Sequence, residues 1–212
     1  MEAGGMLPGR DPPVRAAVVH ESERTRVTRL FLAERTVIRK EPLGPDAEHR
    51  LRHEAAILER LRGVAGVAQL AAATRYPGSI VLEDTDGTSL ASSRTPLAAA
   101  DLIGLAVGLA QAVAGMHRRG VIHRDISPAN IVLSRDDSPC LVDFALATSL
   151  AEMRPEFTHH TEIAGTLAYL APEQTAGAAG RWISGRTCTR WARSCMSWRR
   201  ARRRSEPETR CG

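Results

Sequence analysis

The residues of this chain best suited to chemistry lie in a polar turn beside a short apolar run. Asp125 and Asn130 flank Ser127-Pro128, and the apolar run occupies residues 131–133. The run predicts a buried strand, which places the turn where a core strand emerges, and Pro128 restricts the backbone of the turn. A carboxylate and a carboxamide held close together suit a proton acceptor beside a metal ligand. The alternative is an ordinary loop in which both side chains cap backbone groups.

Motifs around this turn favour the chemical interpretation. Residues 123–130, HRDISPAN, resemble the catalytic loop of protein kinases. Residues 141–145, LVDFA, resemble the metal-binding Asp-Phe-Gly turn with alanine in place of glycine, and residues 165–173, GTLAYLAPE, resemble the end of an activation segment. By order and spacing, the chain resembles a serine/threonine-type protein kinase domain. The combination of motifs also resembles the kinase-like N-terminal domain of certain large bacterial multidomain ATPase and sensor proteins.

The resemblance implies an α+β, two-lobed protein-kinase-like fold with a small β-rich N-lobe and an incomplete helical C-lobe. The N-lobe would take residues 14–83 and the partial C-lobe residues 84–175. A disordered N-terminus, residues 1–13, would precede them, and a basic tail, residues 176–212, would follow. The chain is short for such a fold, because the C-lobe of a kinase needs several more helices.

Hydrophobic periodicity predicts the individual elements. Four further strands are expected, at Ala16–Val19, Arg26–Leu32, Thr36–Arg39 and Ser79–Glu83. Two amphipathic helices are expected, one at Asp46–Leu61, capped at its start by Pro45-Asp46, and one at Asp101–Arg118, closed by Gly120. The apolar stripe of the second helix is typical of structural core.

Lys40 and Glu54 are predicted to form an ion pair. Side chains alternate along a strand, so Lys40 shares a face with Ile38. Glu54 lies on the packed face of the first helix, where a carboxylate costs roughly several kcal/mol unless a cation meets it. By resemblance, this is the Lys–Glu pair with which a kinase holds the α- and β-phosphates of ATP. A solvated lysine at a strand end is the alternative.

The resemblance also implies roles for the polar turn and the segment after it. Asp143 and Asn130 would bind Mg²⁺, which prefers oxygen ligands. Asp125 would accept a hydrogen bond from the hydroxyl of a protein Ser or Thr and orient it towards the γ-phosphate. His123 would brace the loop rather than act as an acid or a base.

The remaining roles concern the nucleotide and regulation. Arg124 would pair with a phosphate on the activation segment, with Thr158 and Thr161 as candidate acceptors. Besides Lys40 and Glu54, the residues expected around ATP are Val27, Ile38, Glu83 and Asp84, the last two at the hinge, where adenine bonds to backbone.

Three departures from the family pattern leave the activity open. Residues 20–25, HESERT, replace the glycine-rich loop that covers the ATP phosphates, and their two glutamates would repel a nucleotide. Ser127 stands where such kinases usually carry a lysine, and Ala145 replaces a glycine. The alternatives to a protein kinase are a pseudokinase that binds nucleotide without turnover and a small-molecule phosphotransferase of the aminoglycoside phosphotransferase kind.

Composition limits the setting of the chain. The net charge of +5 comes from the tail, where ten arginines from residue 181 onwards face two glutamates, so the rest is mildly acidic and no DNA or RNA partner is expected. The N-terminus lacks the pattern of a secretory signal, and the most apolar segment, residues 102–116, is too short to span a bilayer. The four cysteines form no Cys-x-x-Cys pair, so their spacing does not indicate a zinc site. These features favour a cytoplasmic protein. The resemblance implies fusion to further C-terminal domains in full-length relatives.

The basic tail invites two interpretations. Its arginines and interleaved tryptophans would suit a nucleic-acid or acidic-membrane patch. The preferred hypothesis is a frameshift near residues 175–181, because back-translation in a neighbouring frame yields a stretch that resembles the next helix of a kinase C-lobe. On that hypothesis the tail is disordered and the activity of the chain is impaired.

Overall fold

The computed structural model describes residues 15–72, 76–92 and 98–149. Its backbone falls into two compact units. Of the described residues, the first unit takes 15–63, 68–72 and 76–86, and the second takes Val64–Val67, 87–92 and 98–149. The short excursion at Val64–Val67 belongs to the second unit because the amide of Leu141 donates to the Gly66 carbonyl at 2.9 Å.

The first unit is an antiparallel sheet with one helix, as the periodicity predicts. The sheet has the order β1-β2-β3-β4, with β1 at Arg15–Glu21, β2 at Thr25–Phe31, β3 at Thr36–Pro42 and β4 at Ile80–Glu83. Helix α1 spans Ala47–Arg60 between β3 and β4. All four predicted strands and the predicted helix are therefore present, with ends that differ by up to three residues.

The two faces of this sheet have different roles. One face carries a buried apolar cluster of Leu30, Val37 and Val81. The other face carries Lys40, which lies directly between Val27 of β2 and Ile80 of β4 in the strand register. Because residues opposite each other on neighbouring strands share a face, the alternation of β3 separates Lys40 from the apolar cluster.

Helix α1 begins at the predicted place without the predicted cap. Asp46 occupies the N-cap position, but its side chain makes no capping hydrogen bond, and its φ of 58° is left-handed. An N-cap side chain reaches the free amides of the first turn from an extended backbone, which Asp46 does not have. The expectation that Asp46 caps the helix is therefore wrong.

The second unit combines a long helix with short strands. Helix α2 spans Ala99–Arg118, and the strands are β5 at Thr88–Ser89, β6 at Val121–Ile122, β7 at Ile131–Leu133, β8 at Pro139–Leu141 and β9 at Thr148–Ser149. Strands β5, β7 and β8 form one antiparallel sheet, and β6 pairs with β9. The apolar run after the polar turn is thus strand β7, as predicted.

Helix α2 packs against β6 and β8 through its predicted apolar stripe. Leu105, Leu109, Val113 and Met116 are buried, whereas Leu102 is half-buried. Among the described helices, α2 is the one long and apolar enough to cross a membrane by length and composition, with a third of its apolar window buried. The 20-residue helix is longer than the apolar segment that the sequence indicated. Its buried stripe serves the core of the second unit.

Cys140 of β8 is a buried free thiol. Burial raises the pKa of this thiol to about 11, because the thiolate would be poorly solvated. A thiol of this kind is largely protonated at neutral pH and therefore a weak nucleophile. The other three cysteines lie outside the described residues.

Candidate active site

The predicted ion pair between Lys40 and Glu54 is present. Lys40 Nζ donates to Glu54 Oε1 at 2.7 Å, and the two side chains are 8% and 6% exposed. Strand β3 supplies the lysine and helix α1 the glutamate, so the pair joins the sheet to the helix within the first unit. Each charge offsets the desolvation of the other, and a variant lacking one partner would leave a buried uncompensated charge.

The turn between β1 and β2 closes without glycine. Ser22 Oγ accepts hydrogen bonds from the amides of Arg24 and Thr25, at 3.4 and 3.2 Å. None of Ser22, Glu23 and Arg24 has a positive φ, which explains why no glycine is required there. Glu21 forms an ion pair with Arg26 at 2.6 Å. The two glutamates of this stretch were expected to repel a nucleotide. The charge of Glu21 is compensated by Arg26, which leaves Glu23 as the acidic residue of the turn.

The polar turn holds Asp125 and Asn130 against each other. Asn130 Nδ2 donates to the Asp125 side chain at Oδ2, at 3.0 Å, and to the Asp125 backbone carbonyl, at 2.9 Å. A 3₁₀ turn at Pro128–Asn130 brings the two side chains together. Since both bonds use the amino group of the carboxamide, the carbonyl oxygen of Asn130 is the atom suited to bind a cation.

His123 braces the turn, as predicted. Its ring is fully buried, with Nε2 3.1 Å from the Val142 carbonyl oxygen and Nδ1 accepting from the Asp125 amide at 3.2 Å. The ring of Phe144 lies 4.6 Å from that of His123, centroid to centroid, at an angle of 58°. This tilted packing of rings is favourable. The imidazole thus connects the loop of Asp125 to the segment of Asp143 by bonds and by packing.

Asp143 has the unusual backbone geometry of its turn. Its φ is 63°, and its Oδ1 accepts from the amide of Ala145 at 3.3 Å. Ala145 itself has no positive φ. The replacement of glycine by alanine is therefore accommodated, because the left-handed conformation falls on an aspartate, a residue type that tolerates it better than most.

Arg124 has a left-handed backbone, which is unusual for an arginine. Among the described non-glycine residues with positive φ, four are aspartates and the fifth is Arg124, at 66°. A left-handed arginine is uncommon and costs energy that the surrounding contacts must supply, and such residues cluster at functional sites. Burial lowers the pKa of the Arg124 guanidinium, which nevertheless stays charged. Thr158, Thr161 and residues 165–173 lie outside the described residues, so the pairing of Arg124 with a phosphate stays a prediction.

Asp84, the first residue after β4, uses its side chain for structure. Asp84 is paired with Arg29, whose Nε lies 2.7 Å from Asp84 Oδ2 and whose Nη2 donates to Oδ1 at 3.1 Å. The Asp84 side chain is 2% exposed, and the Glu83 amide donates to the Gln69 carbonyl. That Glu83 and Asp84 bond to adenine stays a prediction. It concerns backbone groups other than the Glu83 amide, which is already bonded to Gln69. Sequence reasoning missed the Arg29 pair, for which the sequence holds no local signal.

Ser127 is buried and does not present its hydroxyl to solvent. The residue is 2% exposed, and its Oγ has no hydrogen-bond partner within the described part of the chain. We therefore expect Ser127→Ala to change the free energy of unfolding by less than about 1 kcal/mol, since it removes a hydroxyl that makes no bond. The rate of phosphoryl transfer should also change by less than about twofold. Urea unfolding and initial rates would measure both.

Asn130→Ala is the comparison for this variant. It removes two hydrogen bonds to Asp125 and should be clearly more destabilising. A large loss of transfer in Ser127→Ala with unchanged stability would contradict the expectation and give the hydroxyl a direct role.

The oxygen atoms available in the second unit fit a hard cation. Asp143 offers a carboxylate and Asn130 a carbonyl oxygen, the ligand types that Mg²⁺ prefers. The two residues belong to adjoining segments, because the amide of Val142 donates to the backbone carbonyl of Asn130 at 3.0 Å. No group of three or more His, Cys, Asp or Glu residues that could hold a metal ion occurs among the described residues. A cation here would therefore need further ligands, such as water and phosphate oxygens.

Comparison with known proteins places these features in a family. The protein kinase domain family matches residues 19–204. The chain therefore belongs to the protein kinase domain family, and the predicted α+β kinase fold is confirmed.

Several curated relatives are named as bacterial kinases. The chain is 31% identical over 169 residues to a protein of Streptomyces coelicolor named "Probable serine/threonine-protein kinase", covering 76% of this chain and 25% of the relative. It is 36% identical over 101 residues to serine/threonine-protein kinase PknB of Mycolicibacterium smegmatis, covering 46% and 16% of the two chains. It is 38% identical over 140 residues to the Thermomonospora curvata protein named as the probable kinase PkwA, covering 63% and 18%. The matched segment thus spans a quarter or less of each of these relatives.

Proposed function

We propose that this chain is an ATP-dependent protein kinase domain that transfers the γ-phosphate of ATP to Ser or Thr hydroxyls of a protein substrate. The observation that carries the proposal is the bonded pair of Asp125 and Asn130, held by the buried His123 beside the segment of Asp143. Its relatives are named serine/threonine-protein kinases, which supports the choice of acceptor.

Each site residue has a role in this proposal. Bound ATP with Mg²⁺ supplies the phosphoryl group and the charge that neutralises the phosphates. Asp143 and Asn130 hold the cation through oxygen atoms. Lys40, oriented by Glu54, contacts the α- and β-phosphates. Asp125 accepts the hydrogen bond of the attacking hydroxyl and directs it in line with the γ-phosphate.

Further residues contact the nucleotide and the activation segment in this proposal. Val27 and Ile38, both half-buried, contribute apolar surface to the nucleotide, and Glu83 and Asp84 contribute backbone groups. Arg124 pairs with a phosphorylated Thr158 or Thr161. The domain works in the cytoplasm on protein substrates, without DNA or RNA, and full-length relatives carry further domains.

Replacing Asp143 with asparagine tests the metal assignment. We expect Mg²⁺-dependent transfer of ³²P from γ-labelled ATP to myelin basic protein in the wild type, and a loss of at least about 100-fold in Asp143→Asn, because the neutral amide binds the cation weakly. Asp137→Asn is a matched control, since Asp137 also has a left-handed backbone, with φ 58°, and lies exposed in the turn between β7 and β8. Equal activity in Asp143→Asn and the wild type would remove Asp143 from the site.

A nucleotide-binding module without turnover is the second candidate. The buried Ser127 hydroxyl favours it, because no cationic side chain occupies the position that usually neutralises the γ-phosphate. Mg²⁺-dependent ATP binding by the wild type, lost in Lys40→Met, together with no transfer to protein or to an aminoglycoside, would support this candidate. Transfer to the aminoglycoside alone would support a small-molecule phosphotransferase.

A further inference from the structure

Arg50 of helix α1 ties the β1–β2 turn to the start of its own helix. Its Nη1 donates to the Arg24 carbonyl of the turn at 3.0 Å. Its Nη2 donates to the carbonyls of Leu43 and Pro45, in the connection between β3 and α1, the latter at 3.3 Å. The Leu43 amide also donates to the Arg24 carbonyl, at 2.8 Å. One guanidinium and one amide therefore join two loops that are about twenty residues apart in the chain.

The turn is also stiff in itself. The amide of Ser22 donates to the Thr25 carbonyl at 2.9 Å, and Ser22 Oγ accepts from two amides of the same turn. The ion pair between Glu21 and Arg26 closes the strands on either side. A turn with these bonds has few alternative conformations, in contrast to a loop rich in glycine.

The same helix carries the partner of Lys40. Glu54 follows Arg50 by four residues, so the two side chains project from the same side of α1 on successive turns. Arg50 holds the β1–β2 turn, and Glu54 holds Lys40 at 2.7 Å. A displacement of α1 would therefore move the β1–β2 turn together with Glu54, the partner of Lys40.

We infer that Arg50 is a positioning residue for nucleotide binding, which makes the β1–β2 turn and helix α1 one preorganised body. This inference rests on the proposed function and on the place of the turn, which replaces the glycine-rich loop that covers the ATP phosphates in the kinase family. A turn without glycine approaches phosphate less closely, and the bonds of Arg50 offset that loss because the turn need not be ordered when the nucleotide binds. Arg50 touches no nucleotide atom in this role and acts through the turn.

Replacement of Arg50 with glutamine separates this role from simple structure. We expect the Kd and the KM for Mg-ATP to rise about 5- to 10-fold, as for the loss of one or two hydrogen bonds, with kcat within about twofold. Amide hydrogen exchange at Leu43 and Thr25 should accelerate, as the loss of the tether loosens both loops. Arg52→Gln is the control, since Arg52 lies exposed on the same helix and makes one long ion pair, 3.7 Å, to Glu48. It should leave Kd, KM and exchange unchanged.

A second variant leaves α1 intact. Ser22→Ala removes the hydrogen bonds of the serine hydroxyl without changing the charge or introducing a glycine, and we expect it to raise the Kd for Mg-ATP as well. Arg50→Lys, which keeps the charge without the planar fork, should bind Mg-ATP with an affinity between those of Arg50→Gln and the wild type.

The outcomes distinguish this inference from the proposed function. Wild-type affinity in both Arg50→Gln and Ser22→Ala, beside lost binding in Lys40→Met, would overturn the role of Arg50 and leave the proposed function standing. Faster exchange with unchanged affinity would overturn it equally. A wild-type chain that binds no Mg-ATP would overturn both.

Discussion

Replacement of Asp125 with asparagine is expected to lower the rate of phosphoryl transfer by about 10²–10⁴-fold, the usual contribution of a positioned acid or base. Asparagine keeps an oxygen that can accept the 3.0 Å hydrogen bond from Asn130, so the loop should retain its geometry. It has no carboxylate to orient and accept the proton of the attacking hydroxyl. The Kd for Mg-ATP should stay within about twofold, because Asp125 acts on the acceptor.

Initial rates with labelled ATP and titration calorimetry measure the two effects separately. Asp136→Asn serves as the control, since Asp136 is an exposed aspartate whose carboxylate also accepts side-chain hydrogen bonds, from Ser134 and Ser138. It should leave both quantities unchanged. An undiminished kcat in Asp125→Asn would show that another group directs the hydroxyl. If the affinity for Mg-ATP fell as much as the rate of transfer, Asp125 would have a role in nucleotide binding instead.

The ion pair of Lys40 and Glu54 provides the second large effect. Lys40→Met or Glu54→Leu alone should lower the free energy of unfolding by about 3–5 kcal/mol, because each leaves one buried charge uncompensated. The double variant should recover most of this loss, since two apolar side chains of similar size replace the pair. Mg-ATP binding should be lost both in Lys40→Met and in the double variant.

Urea unfolding of the four proteins gives the coupling energy of the pair, and Mg-ATP titration of the same samples gives its functional role. The exposed pair of Glu48 and Arg52 is the comparison, and its removal should cost less than about 1 kcal/mol. A double variant that is stable and still binds Mg-ATP like the wild type would mean that Lys40 has a structural role alone.

Much of the fold of the first unit follows from local patterns in the chain. Alternation along β3 placed Lys40 on the face opposite Val37, and helical spacing placed Glu54 on the packed side of α1. The cost of burying a lone carboxylate then indicated the pair. These inferences needed no tertiary coordinates, because the periods of strands and helices are properties of the backbone itself.

Other features depended on backbone conformations that residue types predict poorly. Asp46 was expected to cap α1, but its left-handed backbone prevents the bond. Alanine at position 145 replaces the glycine that gives the metal-binding turn of the family its freedom, but in this chain the positive φ falls on Asp143. Aspartate is suited both to caps and to left-handed positions, so its presence alone does not decide between them.

By itself, the sequence determined the family, the order of the longer strands and the two helices, and the identity of the candidate chemical groups, because motif spacing and hydrophobic periods are local. The tertiary structure decided which side chains support those groups. Arg50 with Arg24, His123 with Val142 and Arg29 with Asp84 are 26, 19 and 55 residues apart. Such partners meet through strand register and the paths of loops, and no local period of the chain encodes either of them.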